Sequence, residues 1–139
     1  DRGLEVLGDP AYTERLGPIT KTITKNIYDR AYQKHSLVNE TENGRTDTTR
    51  VWWVQAEAVV GFLNGWQKNP GHTEYLDAAK DIWNYIGAYL VDSREGSEWY
   101  WAVDKDGIPL EKPIVEPWKC PYHNGRMCIE VIRRTRQNA

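Results

Sequence analysis

Apolar side chains at Leu16, Ile19, Ile23 and Ile27 recur at steps of three and four, which places them on one helical face. The spacing predicts a helix over about 18–30. Gly17-Pro18 either opens that helix, with proline at its first position, or kinks a longer one that begins near Thr13. From His35 to Arg50 the pattern is lost in HSLVNETENGRTDTTR, rich in Asn, Thr, Asp and Gly, with Asn43-Gly44 as a turn signal. This stretch reads as a long loop with a short hairpin at its start. At Val51 the character changes again: VWWVQAEAVVGFLNGWQ is apolar on nearly every side, with Gln55 and Glu57 as its strongly polar residues before Asn64. A helix that is apolar all round is buried all round.

After Asn69-Pro70-Gly71, Leu76, Ala79, Ile82, Trp83, Ile86 and Leu90 keep a helical period, while Glu74, Asp77, Lys80, Asp81 and Asn84 occupy the opposite side. An inner helix followed by an outer, amphipathic one is the pattern of a two-layered helical assembly. Glu98 to Val103 is rich in strand formers, Asp106-Gly107 makes a turn, and Ile108 to Leu110 returns beside it as a short hairpin. Pro113, Pro117 and Pro121 force an extended loop. A last helix starts near Asn124, turns Met127, Cys128, Val131 and Ile132 inward, and places Arg133, Arg134 and Arg136 where cations complement the helix dipole. The chain is thus expected to be a single all-α unit, residues 1–139, of about four helices with long loops.

Composition narrows the classes. With 18 Lys+Arg against 20 Asp+Glu, the balanced charge gives no footprint for nucleic acid or an anionic membrane. No apolar run has the length of a membrane span, and the first residues lack a signal-peptide pattern. Cys120 and Cys128 form neither a disulfide framework nor a zinc cluster, so reduced thiols and a cytoplasmic setting are expected. Seven Trp and eight Tyr beside one Phe suit either a wet apolar surface such as a sugar-binding cleft or the filling of a helical core.

Three histidines are present. His123 precedes the last helix on the Pro-rich loop, five residues after Trp118 and three before Arg126, where an imidazole can serve as general acid or base. His35 and His72 border loops. Glu57 shares a helical face with Trp53, and a carboxylate on so apolar a helix needs either a partner such as Arg50 or Arg126 or a ligand. Of Trp52 and Trp53, at most one faces a cavity while the other packs between helices. Glu40, Glu42, Glu57 and Glu116 are candidates for the carboxylate pair of a glycosidase. Nucleotide-loop, zinc-protease and serine-hydrolase motifs are missing, and no residue implies a metal or other cofactor.

The strings WWVQAEAVVGFLNGWQ (Trp52 to Gln67) and WKCPYHNGRM (Trp118 to Met127), with NETENGRTDTTR leading into the first, resemble the cellobiose 2-epimerase branch of the N-acylglucosamine 2-epimerase family. The N-acetylglucosamine 2-epimerases proper carry different residues around the equivalents of Gln55 and of Cys120 to Asn124, which favours the cellobiose branch. The resemblance implies an (α/α)6 barrel, and since 139 residues are too few for it, the chain is expected to match its C-terminal third. It implies a sugar isomerase that converts the reducing-end glucose of a β-1,4-linked disaccharide such as cellobiose to mannose, by proton removal and return through an enediolate. In the family two histidines flank the sugar. His123 matches the C-terminal one, neither His35 nor His72 matches its partner, and Trp52, Trp53, Glu57 and Trp118 match positions lining the cleft. The alternatives are an inactive carbohydrate-binding or structural piece that self-associates through its apolar helix, and a helical-barrel glycosidase.

Overall fold

The structure is a computed structural model that describes residues 1–136. Among the described residues there are five α-helices: α1 (Arg2–Leu7), α2 (Pro10–Ala31), α3 (Trp52–Lys68), α4 (Thr73–Tyr85) and α5 (Tyr122–Arg136). Six short strands form three antiparallel pairs. These are β1 (Tyr32–Gln33) with β2 (Ser36–Leu37), β3 (Glu40–Glu42) with β4 (Arg45–Asp47), and β5 (Arg50–Val51) with β6 (Ala102–Val103).

α2 starts earlier than its apolar spacing predicts. Asp9 caps it, its carboxylate accepting from the Ala11 amide at 2.8 Å, and Pro10 stands at the first turn. Pro18 removes one helical donor but does not end the helix, which is the longer of the two alternatives and runs through it from Pro10. The stripe that predicts α2 is largely exposed: Ile19 and Ile23 at 51% and Ile27 at 40%.

The segment 35–50 is more ordered than a long loop. The hairpin expected at its start is β1–β2, which begins before it at Tyr32, and a second, β3–β4, follows; their turns, Lys34-His35 and Asn43-Gly44, all take positive φ (51°, 69°, 50° and 75°). Such turns match strand twist, so the β3–β4 hairpin closes without a buried face, every residue of its strands being exposed, whereas Ser36 and Leu37 of β2 are buried. His35 holds its left-handed backbone while its Nδ1 lies 2.9 Å from Asp81 on α4.

The core gathers around α3, which packs against α2, α4 and α5. Phe62, Ile82, Leu90, Val103 and Met127 are buried, each large side chain contributing about 1.5–3 kcal/mol against exposure. Gln55 is also fully buried; its amide exchanges two 2.8 Å bonds with the Leu37 backbone, as a strand partner would. α2 and α3 approach closely because Gly65 has no side chain: a Cβ there would lie 2.7 Å from Thr24 Cγ2. α4 ends in a π turn, Ile86–Leu90, where the Val91 amide reaches the Ile86 carbonyl at 3.1 Å. Trp83 and Ile132, expected to face inward, are exposed at 46% and 49%. Each lies at the edge of its apolar stripe, where the neighbouring residues Ile82 and Val131 take the packed position.

The expected return of Ile108 to Leu110 is present: the Leu110 amide donates to the Ala102 carbonyl at 3.0 Å, and the Asp104 amide to the Ile108 carbonyl at 2.9 Å. The pairing of β6 with β5, which brings the start of α3 beside this hairpin, has no local sequence signal.

Candidate active site

α3 is buried on most sides, and Trp53, Glu57 and Gly61, spaced by four, form its partly open line. α5 crosses this line with two side chains one turn apart. His123 Nδ1 lies 3.0 Å from Glu57 Oε1, and Arg126 Nη1 donates to both carboxylate oxygens, at 2.8 Å to Oε1 and 2.6 Å to Oε2. The Trp53 ring sits 5.7 Å from the His123 ring, and Tyr122 meets it edge-on at 5.0 Å. The His123 and Glu57 side chains are 32% and 35% exposed, half-buried but reachable from solvent.

A carboxylate on Nδ1 fixes the imidazole tautomer. Nδ1 carries the proton and Nε2 presents its lone pair outward, the arrangement a general base needs. Of the two partners expected for Glu57, Arg126 is the one it meets. Arg50 is buried elsewhere, its Nε donating to Ser36 Oγ at 2.7 Å and its Nη1 to the Thr48 carbonyl. The other histidines are occupied apart from this pair, His35 with Asp81 and His72 with Glu74 at 2.7 Å. Among the described residues no set of three His, Cys, Asp or Glu side chains is gathered as metal ligands, and both cysteines are free.

The model of the family described as N-acylglucosamine 2-epimerase (GlcNAc 2-epimerase) matches residues 20–125. The chain belongs to this family. It is 49% identical over 135 residues to the cellobiose 2-epimerase of Ruminococcus albus, covering 96% of this chain and 34% of that protein. To the cellobiose 2-epimerase of Eubacterium cellulosolvens it is 47% identical over 128 residues, covering 92% of this chain and 31% of that one. Among solved structures, a sugar epimerase from a ruminal bacterium superposes with a TM-score of 0.91 at 48% identity, covering 96% of this chain and 34% of that chain. The cellobiose 2-epimerase of Bacillus thermoamylovorans gives 0.84 at 48%, covering 94% and 33%. The chain spans about a third of the length of these relatives.

In this N-acylglucosamine 2-epimerase family chain the paired tryptophans divide their roles. Trp53 is 42% exposed beside His123, whereas Trp52 is 2% exposed and packs on Trp101 with ring centroids 5.3 Å apart. Trp52 therefore does not reach the open side of the site, and it forms a floor beneath the loop that precedes α5. Trp118 stands at the tip of a tight turn closed by the Lys119 amide and the Glu116 carbonyl at 2.9 Å, and it is 85% exposed. No ring contact joins it to Trp53 or His123 among the described residues.

Sequence reasoning missed the anchor of that loop. The Lys119 side chain is fully buried, its ammonium bonded to Glu98 and 5.7 Å from the Trp52 ring centre. The second oxygen of Glu98 accepts from Asn124 Nδ2 at 2.7 Å, and Glu116 accepts from Trp101 Nε1 at 2.6 Å. The loop bearing Trp118 and the first turn bearing His123 are thus tied to the hairpin of β6. A lysine between Trp118 and Cys120 carries no local mark of burial.

Among the described residues no helix is long and apolar enough to cross a membrane.

Proposed function

We propose that this chain supplies one side of the acid/base site of a carbohydrate 2-epimerase, with His123 as one of the two groups that move the proton on the second carbon of a reducing-end sugar. The observation that carries the reading is the His123–Glu57 pair beside the exposed Trp53 ring. The chain's likeness to cellobiose 2-epimerases makes a β-1,4-linked disaccharide such as cellobiose the substrate to test.

The chemistry follows from the geometry. In the ring-opened aldose the C2–H bond is acidified by the neighbouring aldehyde. His123 Nε2 takes that proton, the C–H electron pair forms the C1–C2 double bond, and the carbonyl electrons move to O1 as an enediolate. Glu57 stabilises the imidazolium through Nδ1–H. Return of a proton to the opposite face of C2 inverts it, which requires a second acid on that face. Neither His35 nor His72 joins the His123 pair, so that group is not a histidine of the described residues. Trp53 offers an apolar face to sugar C–H groups, and Trp118 a second one on the adjoining loop.

The test is proton NMR with cellobiose in heavy water. His123→Ala is expected to lower exchange of the C2 proton by about 10²–10⁴-fold, the usual worth of a placed acid/base group. Wild-type exchange in that variant overturns the assignment. Release of glucose in place of an epimer would support the glycosidase chemistry. No exchange by this chain beside an active full-length relative would mean that it holds one side of a two-sided site.

A further inference from the structure

We infer that Arg126 is a positioning residue of this site, setting the orientation of Glu57 and, through its charge, the field at the His123 ring. The inference rests on the acid/base reading of His123. Its evidence is the unequal use of the two Glu57 oxygens. Among the described residues Oε2 is held by Arg126, whereas Oε1 is shared between Arg126 Nη1 and His123 Nδ1. One guanidinium nitrogen straddles the carboxylate, and both its grip and the imidazole come from the same face of α5, one turn apart.

Two consequences follow. The first is geometric. Glu57 has three rotatable bonds and a partly open side chain, so with His123 as its sole partner its carboxylate would exchange that contact for water. Arg126 holds Oε1 toward Nδ1 and so keeps Nε2 aimed outward. The second is electrostatic. A lone carboxylate beside an imidazole favours the protonated ring, and a guanidinium on the same carboxylate offsets that pull. Arg126 therefore sets a positive charge against the carboxylate that faces Nδ1. The charged and titratable groups meeting the ring or its carboxylate are Glu57 from α3 and Arg126 and Tyr122 from α5; the Trp53 ring is neutral.

A purely structural Arg126, clamping α3 to α5, would change stability and leave the ring's titration alone. The deciding experiment is an NMR pH titration of the His123 ring in the full chain, with C2-proton exchange measured on the same samples. Arg126→Gln, which removes that charge, is expected to move the titration midpoint up, a Coulomb effect screened by the partial exposure of all three groups. Glu57→Gln is expected to move it down. Arg126→Lys, which keeps the charge and loses the planar grip, should titrate close to wild type while exchange falls about 10-fold from misplacement. If Arg126→Gln is not folded, the lysine variant decides: wild-type exchange in it overturns the positioning role. A midpoint in Arg126→Gln coincident with wild type overturns the inference even where His123 proves essential. Exchange that survives His123→Ala overturns instead the reading on which it rests.

Discussion

Removal of Glu98 tests the anchor of the Trp118–His123 loop. Lys119 has no exposed side-chain surface, and its described partners are the Glu98 carboxylate and the Trp52 ring face. Glu98→Ala strands an ammonium in the interior, which costs about 3–5 kcal/mol when a buried pair loses one member. That is a large part of the 5–15 kcal/mol typical of a folded domain. The reverse change is milder. In Lys119→Met an unbranched apolar chain replaces the buried ammonium, and Glu98, 28% exposed and still bonded to Asn124, can be hydrated. Its expected cost is about 1 kcal/mol, since apolar replacement of a buried charge is often close to neutral. The double variant should resemble Lys119→Met, giving a coupling of about 3 kcal/mol or more, at the upper end of the range for contacting residues. Urea unfolding followed by tryptophan fluorescence reads all four proteins, with Trp52 reporting directly from beside the pair. Equal costs for the two single changes, or a loss in Glu98→Ala below about 1 kcal/mol, would refute the claim that the ammonium is desolvated.

Three further outcomes are expected. Gln55→Leu leaves the buried amide and carbonyl of Leu37 unpaired and should cost about 2–4 kcal/mol by denaturant titration; a neutral result would show that another group replaces the amide. The Arg94 guanidinium, followed by the Ser97 hydroxyl, holds the Asp92 carboxyl well below the usual carboxylate range. A depressed folded value means stability that is complete above the unfolded value of about 4 and is lost as pH falls toward the folded one. Wild type should therefore exceed Asp92→Asn in thermal stability near neutrality, with the gap closing below about pH 4; a constant gap would refute the linkage. The exposed stripe Ile19, Ile23 and Ile27 should support concentration-dependent association, weakened at least 10-fold by Ile23→Glu, since burying one such side chain is worth about 1.5–3 kcal/mol. Sedimentation velocity checks this, and a monomer at every concentration would refute it.

Local chemistry made much of the molecule legible. The period of Leu76, Ala79 and Ile82, the Asn43-Gly44 turn and the return of Ile108 to Leu110 each rest on forces acting within a few residues, and each is present. So is the sharing of one face by Trp53 and Glu57, because four residues along a helix complete about one turn. The hairpin expected at the start of the 35–50 segment is present as β1–β2, whereas the strands β3 and β4 on either side of Asn43-Gly44 read as loop because they have no apolar alternation and are held by turn geometry and backbone bonds.

Tertiary structure decided the rest. Periodicity states which way a side chain faces along its own helix and says nothing of what it meets. Glu57 had two plausible cationic partners, and the crossing of α5 over α3 selected Arg126 and brought His123 to the same carboxylate from 66 residues away. The same placement sent Trp52 into the core and Trp53 to the open side, although the two are adjacent and chemically identical. It also buried Lys119, whose charge marks it as a surface residue until the distant Glu98 is set against it. The sequence by itself determined the longer helices, the tight turns and the chemical repertoire. The long-range pairings that assemble a site depend on how helices cross, and that is set by the packing of the whole chain.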